Sequence, residues 1–86
     1  MLARNRVNDY DRWRTIFDAN TEAAEKAGLK LVHMWRDTAD ANHVFFMFAL
    51  RSIDDAMAFV NDPKNAEVGV EAGVIAGEYH IVEDVL

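Results

Sequence analysis

The sequence predicts an α+β fold of the ferredoxin-like type, an antiparallel sheet with helices on one face. Three observations predict it. The expected elements follow in the order strand, helix, strand, strand, helix, strand, which is the order of the split βαβ arrangement. Residues 43–50 are apolar on both alternating faces of one strand. The 86 residues suffice for one domain, 1–86, whose helices can cover only one face of a sheet.

The first half of that order begins with a short strand over 2–7. Asn8 or Asp9 is a suitable N-cap for a helix that runs to about residue 27, and Gly28 suits the C′ position. Spacings of three and four define one face of this helix. Its members are Tyr10, Trp13, Ile16, Phe17, Asn20, Ala24 and Ala27.

Two strands, 29–36 and 43–50, flank the polar turn 37–42 and predict an antiparallel hairpin. A symmetric turn pairs His33 with Phe46, and directly opposed residues share a face. The face expected under the helices then holds Leu29, Leu31, His33, Trp35, Val44, Phe46, Phe48 and Leu50. The opposite face holds Lys30, Val32, Met34, Arg36, His43, Phe45, Met47 and Ala49. A register slip of one residue would exchange these assignments.

The opposite face of the hairpin is apolar in its middle, and soluble monomers avoid such surfaces. We therefore expect a homodimer in which a second copy covers it. Ser52 is the expected N-cap of the next helix. Pro63 either stops that helix or begins another, and we expect a short helix from 63 to about 72 that ends at Gly73. A loop over 74–77 and a last strand over 78–85 complete the expected order.

Composition excludes several classes of function. The formal net charge of -6 and the pI of about 4.8 disfavour nucleic-acid binding. The chain contains no cysteine, which excludes disulfides and thiolate metal sites. No apolar run approaches the ~20 residues of a membrane span, and the first residues lack the apolar core of a signal peptide. We expect a cytoplasmic protein with no membrane partner.

Residues 7–18, Val-Asn-Asp-Tyr-Asp-Arg-Trp-Arg-Thr-Ile-Phe-Asp, resemble the opening of small bacterial dimeric α/β-barrel proteins related to the antibiotic biosynthesis monooxygenase superfamily. The later Arg36-Asp37, the run 52–56 and Phe59 are similar to the same group. The resemblance implies two sheets that pair as a dimeric α/β barrel. That group includes cofactor-free monooxygenases acting on polyketide quinols, haem-degrading enzymes and isomerases, so the resemblance implies a fold more than an activity.

The candidate site residues lie on the face expected under the helices. His33, among aromatic side chains, is the candidate general base. The plainer interpretation is a hydrogen-bonded core histidine, or one at a strand end that reaches water. Trp13, Trp35 and Tyr79 are candidates to line a ligand cavity, and Asn20 is a candidate hydrogen-bond donor into it. An ordinary core is the favoured interpretation of these aromatic residues, because Trp13 lies on the helix stripe, and Asn20 at the edge of the stripe is alternatively in contact with water.

The other two histidines, His43 and His80, are expected to be exposed and half-exposed. None of the three has the local spacing of metal ligands, so we expect no metal and no cofactor. Two classes of function remain. The first is a cofactor-independent monooxygenase- or cyclase-like enzyme acting on a small aromatic or polyketide-like compound. The second is a non-catalytic small-molecule-binding or stress-related module. The sequence leaves open whether the protein is an enzyme.

Overall fold

The computed structural model describes all 86 residues, from Met1 to Leu86, and confirms the α+β, ferredoxin-like fold. Four strands form one antiparallel sheet, and the helices cover one of its faces. The elements are β1 (Leu2–Val7), α1 (Tyr10–Lys26), β2 (Leu29–Arg36), β3 (His43–Leu50), α2 (Ile53–Val60), α3 (Pro63–Glu71) and β4 (Val74–His80). No helix is both long and apolar enough to cross a membrane.

The strand order is β2-β3-β1-β4, so that β2 and β4 are the two edges of the sheet. β1 lies in the interior because it pairs with β3 on one side and with β4 on the other. We call the side that packs on the helices the covered face and the other side the open face. In β1 the covered face includes Ala3 and Val7, which are both buried. The open face of β1 carries Arg4 and Arg6.

The helix ends follow the predicted capping residues. The side chain of Asp9 accepts a hydrogen bond from the backbone N–H of Asp11, and Ser52 accepts one from Asp55. α3 begins at Pro63 with Asp62 as its N-cap, which confirms a separate third helix. Gly28 has a φ of 98°, a conformation that glycine adopts at low cost after a helix.

The core lies between the covered face and the helices. Trp13 of α1 is 2% exposed, and its ring is 4.7 Å from the ring of Phe17 and 5.9 Å from that of Phe46. Val44 and Phe48 of β3 are also buried. The expected covered face of residues 43–50 is therefore confirmed, since its alternate side chains pack beneath the helices.

The predicted register of the hairpin holds for only half of β2. Leu29 pairs with Leu50 and Leu31 with Phe48, as the symmetric turn requires. A β-bulge at Val32 then shifts the register by one residue, so that His33 pairs with Met47 rather than with Phe46.

The placement of His33 and Trp35 under the helices was therefore wrong. Both lie on the open face and both are exposed, because the extra residue of the bulge reverses the alternation beyond it. Met34 and Arg36 take the covered side instead. The guanidinium of Arg36 lies 4.4 Å from the centre of the Tyr10 ring, which belongs to α1.

The last strand begins earlier than predicted. β4 spans Val74–His80, and Val74 already pairs with Val7, so the expected loop over 74–77 is part of the sheet. The expected strand residues 81–85 are outside it. Leu2 is the last residue of β1 to pair with β4, and its partner is His80. Residues beyond His80 extend past the end of β1 and have no neighbouring strand.

Candidate functional site

A cavity of about 260 Å³ lies between the covered face and the helices. One wall is α1, which contributes Trp13, Phe17 and Asn20. The floor is the sheet, and α3 closes part of the opposite side. The aromatic side chains around it are Trp13, Phe17, Phe46, Phe48, Phe59 and Tyr79. The helical spacing of α1 and the alternation of β3 bring these rings together, so that the lining is mostly apolar.

Three asparagines, each on a different element, are part of this mostly apolar lining. Asn5 of β1, Asn20 of α1 and Asn65 of α3 each contribute a carboxamide to the lining. The Nδ2 of Asn20 donates to the backbone oxygen of Ile16 at 2.8 Å, which leaves its Oδ1 as an acceptor for another partner. A few placed polar groups in an apolar cavity are typical of sites that orient a small ligand.

Asn5 reaches the cavity because the neighbouring strand carries a glycine opposite it. Asn5 pairs with Gly77 of β4, and a Cβ atom at position 77 would lie only 2.7 Å from the Oδ1 of Asn5. A larger residue there would displace the amide. No side-chain nitrogen or oxygen is both buried and without a hydrogen-bond partner.

The lining has little acid–base chemistry. Its titratable side chains are Glu78 and Tyr79. Glu78 is already engaged on the open face, where its carboxylate accepts from Arg4 and lies 3.2 Å from Nε2 of His80. The hydrogen bond from Arg4, and then that from His80, hold the pKa of Glu78 below its usual value. The cavity thus assembles no pair of nucleophile and base.

Three of the four predicted ligand-binding residues line the cavity, namely Trp13, Asn20 and Tyr79. Trp35, the fourth, lies on the other side of the sheet and is 47% exposed. The candidate base His33 stacks on Trp35 with ring centres 5.3 Å apart. Neither residue has access to the cavity, because the sheet lies between them. No group of three or more potential ligands is arranged to hold a metal ion.

Sequence reasoning missed a polar cluster on the open face. His43, expected to be exposed, is 8% exposed. Its Nδ1 lies 3.3 Å from Oδ2 of Asp37, and its Nε2 lies 3.2 Å from Nη1 of Arg4. An arginine N–H only donates, so Nε2 accepts and Nδ1 carries the proton donated to Asp37.

The pKa of Asp37 is lowered first by the hydrogen bond from the backbone N–H of Ala39 and then by that from His43. The six-residue spacing of Asp37 and His43 around a hairpin turn is the sequence signal that predicts this pair. Asn5 also had a signal, since it alternates with Ala3 and Val7 on β1.

No protein-family model matches this chain, and no curated protein is significantly similar to it.

Proposed function

We propose that this protein binds a small, planar, mostly apolar molecule in the cavity between the sheet and the helices. The observation that carries the proposal is a cavity of about 260 Å³ lined by aromatic rings and a few carboxamides. A dry cavity of roughly 150 Å³ holds benzene, and drug-sized sites measure roughly 300–1,000 Å³. The volume therefore suits a ligand of one or two fused rings with one hydrogen-bonding group.

The two tryptophans make this proposal testable by fluorescence. Trp13 lines the cavity, and Trp35 lies on the open face. In Trp35→Phe the emission reports Trp13 alone. We expect 1-naphthol, added as a two-ring probe with one hydroxyl, to change that emission in a saturable way. Calorimetric titration of the unmodified protein with the same probe gives an independent measure of binding.

A matched pair on α3 provides the control. Gly69 lines the cavity, and a Cβ atom at that position would meet no other atom within 4 Å. Gly69→Phe fills the cavity without loss of helix propensity, and it should abolish the binding of 1-naphthol. The next residue, Val70, is 81% exposed, so Val70→Phe should leave binding unchanged. Equal binding by both variants, or no binding by the parent protein, would remove the proposal.

We also propose that the protein is a homodimer in which a second copy covers the open face, as in the dimeric α/β barrels that residues 7–18 resemble. Phe45 and Met47 of β3 are only half-buried there, and Trp35 is exposed beside them. Covering such side chains is favourable at about 25 cal/mol per Å². Native mass spectrometry should show a dimer, and a monomer at all concentrations would contradict this proposal.

The second candidate function is catalysis in the same cavity, by a cofactor-independent monooxygenase- or cyclase-like enzyme. The presence of Asn5 and Asn65 in the lining favours it, because a carboxamide N–H can stabilise a developing oxyanion. Oxygen uptake with 1,4-dihydroxynaphthalene, compared with its spontaneous oxidation, tests this activity. Turnover that is lost in Gly69→Phe and kept in His33→Ala would support it, and no turnover would leave binding alone. The cysteine-free sequence supports a cytoplasmic location for either function.

A further inference from the structure

The third helix, α3, packs less closely than the first. None of its residues is buried, whereas α1 buries Trp13 and Ala24. The half-buried residues of α3 are Asn65, Val68 and Gly69, and all of them line the cavity. A Cβ atom at position 69 would meet no atom of another element within 4 Å. The inner face of α3 therefore borders the cavity rather than a packed core.

The sequence of α3 gives the helix little stability of its own. It has nine residues, and a helix shorter than about 12 residues is marginal in water unless it packs on something else. Gly69 lies in its interior, where glycine is the least favourable residue after proline. Its last turn contains Glu71 and no basic residue, and a negative charge at that end opposes the helix dipole. The helix therefore depends on whatever lies beneath it.

The C-terminal end of α3 is fixed to α1 and to the sheet. The backbone oxygen of Glu71 accepts a hydrogen bond from Nε of Arg12 at 3.1 Å. The backbone oxygen of Gly73 accepts one from the N–H of Asn8 at 2.9 Å, and Ala72 is 4% exposed. This end is therefore a firm point of attachment.

The N-terminal end of α3 has no such attachment. The hydrogen bonds of the linker residues Asn61 and Asp62 reach only α2 and the first turn of α3. None of them joins this end of the helix to the sheet or to α1, and no ion pair involves α3. Few long-range contacts are typical of segments that open locally while the rest of the fold stays intact.

We propose that α3 is a lid on the cavity, whose N-terminal half moves away to admit the ligand and is held closed once the ligand is bound. The inference rests on the ligand binding proposed above. A ligand in the cavity supplies contact atoms for Val68 and Gly69, which line it. It therefore stabilises the closed position of α3 relative to the open one.

The other two helices suit this role less well. α1 is held on the sheet by Trp13, whose ring lies 5.9 Å from that of Phe46. α2 begins directly after β3 and buries Ala56 completely. Opening either helix would expose buried core residues to water, which is unfavourable. Opening the N-terminal half of α3 exposes only residues that are half-buried now.

Amide hydrogen exchange in the free protein measures the opening of α3 without any ligand. The amides of residues 67–69 donate to the carbonyls one turn earlier in α3, and a detached helix of this length unwinds. We expect them to exchange roughly 100-fold faster than the amides of residues 20–24 in α1. Equal protection would mean that α3 opens only when the whole chain unfolds, and it would overturn the inference.

Exchange in the presence of saturating 1-naphthol tests the coupling to the ligand. The amides of residues 67–69 should exchange at least about tenfold more slowly, because α3 cannot open while the probe is held. The amides of Ala39 and Asn42, in a turn that does not line the cavity, should be unaffected. If calorimetry shows binding and exchange at 67–69 is unchanged, the lid is overturned and the binding proposal stands. If 1-naphthol does not bind, both are overturned.

Two helix caps provide matched variants. Asp62 accepts a hydrogen bond from the N–H of Lys64 at the start of α3, and Ser52 accepts one from the N–H of Asp55 at the start of α2, both at 3.0 Å. Asp62→Ala should raise the exchange rate at 67–69 at least about threefold, whereas Ser52→Ala should leave it unchanged. Asp62→Asn retains a capping group and should restore the rate of the parent protein. An equal rate in Asp62→Ala and Ser52→Ala would overturn the inference.

Discussion

The two faces of the sheet carry similar apolar side chains, but these side chains differ in how deeply they are buried. Along β3, Val44, Phe46 and Phe48 point to the covered face and are at most 7% exposed. Phe45 and Met47 alternate with them and remain half-buried. The difference is not in the residues but in what lies over them, because the three helices reach one side only. One strand thus supplies buried core residues on one face and partly exposed apolar residues on the other.

The two tryptophans summarise the same difference. Trp13 is 2% exposed and contacts aromatic rings on the covered face, whereas Trp35 is 47% exposed on the open face. Matched substitutions on the two faces therefore measure how much each face contributes to the free energy of folding within one copy. They also measure how much of that free energy depends on a second copy of the chain.

The largest expected difference in stability is between substitutions of the two tryptophans. Trp13→Ala should lower the free energy of unfolding by about 3–5 kcal/mol, because it leaves a cavity in a packed core. Trp35→Ala should change it by about 0.5 kcal/mol or less in dilute protein, as is usual for exposed positions. Urea unfolding at several protein concentrations measures both. A Trp35→Ala effect that grows with concentration would reflect the dimer, and equal effects in dilute protein would contradict the distinction between the faces.

A smaller effect is expected at two glycines near the cavity. Gly73 has a φ of 77°, and a Cβ atom there would lie 3.4 Å from that of Asn8, so Gly73→Ala should destabilise the fold by about 1–2 kcal/mol. Gly69 is helical and faces open space, so Gly69→Ala should stabilise it by up to about 1 kcal/mol. Thermal unfolding of both variants checks the opposite signs. A destabilising Gly69→Ala would mean that the space beside α3 is not available.

The smallest effect on the stability of the folded state is expected from a change in pH. Asp37 and Glu78 on the open face, and Asp55 at the start of α2, have pKa values lowered by hydrogen bonds to their charged forms. A lowered pKa in the folded state contributes stability that is present above the unfolded pKa, about 4, and is lost as pH falls through the folded value.

The urea midpoint should therefore be constant from pH 7 to about pH 5 and should fall as the pH drops below about 4, through the lowered folded values. Glu78→Gln and Asp55→Asn should each flatten that fall, and comparison of the two assigns it to the open face or to the helix. A midpoint that rises on acidification would contradict the assignment of these pKa values.

Much of the fold could be predicted from sequence because its signals are local. The bounds of β2 and β3 follow from a polar turn between two apolar runs, and the helix starts follow from Asp9, Ser52 and Pro63. The bounds of β4 could not be predicted in this way. Apolar residues recur as far as Val85, but the sheet pairs only residues that have β1 beside them.

The candidate site was predicted in part for the same reason. Trp13 and Asn20 follow from helical spacing along a single element, which no distant contact can change. His33 and Trp35 depended on the register between two strands, and one extra residue at Val32 was enough to move them to the other face. The contribution of Asn5 depended on Gly77, which is distant in sequence and adjacent in the sheet.

The bulge at Val32 also bears on how chains of this kind can vary in length. Its extra residue has no partner in the ladder, so removing it would leave Leu31 beside Phe48 and His33 beside Met47 as they are now. A deletion at this one position therefore preserves the facing of every other side chain in the hairpin, whereas a deletion at a paired position would reverse it. Homologues one residue shorter are accordingly expected to show an alignment gap at position 32, with the flanking pattern unchanged.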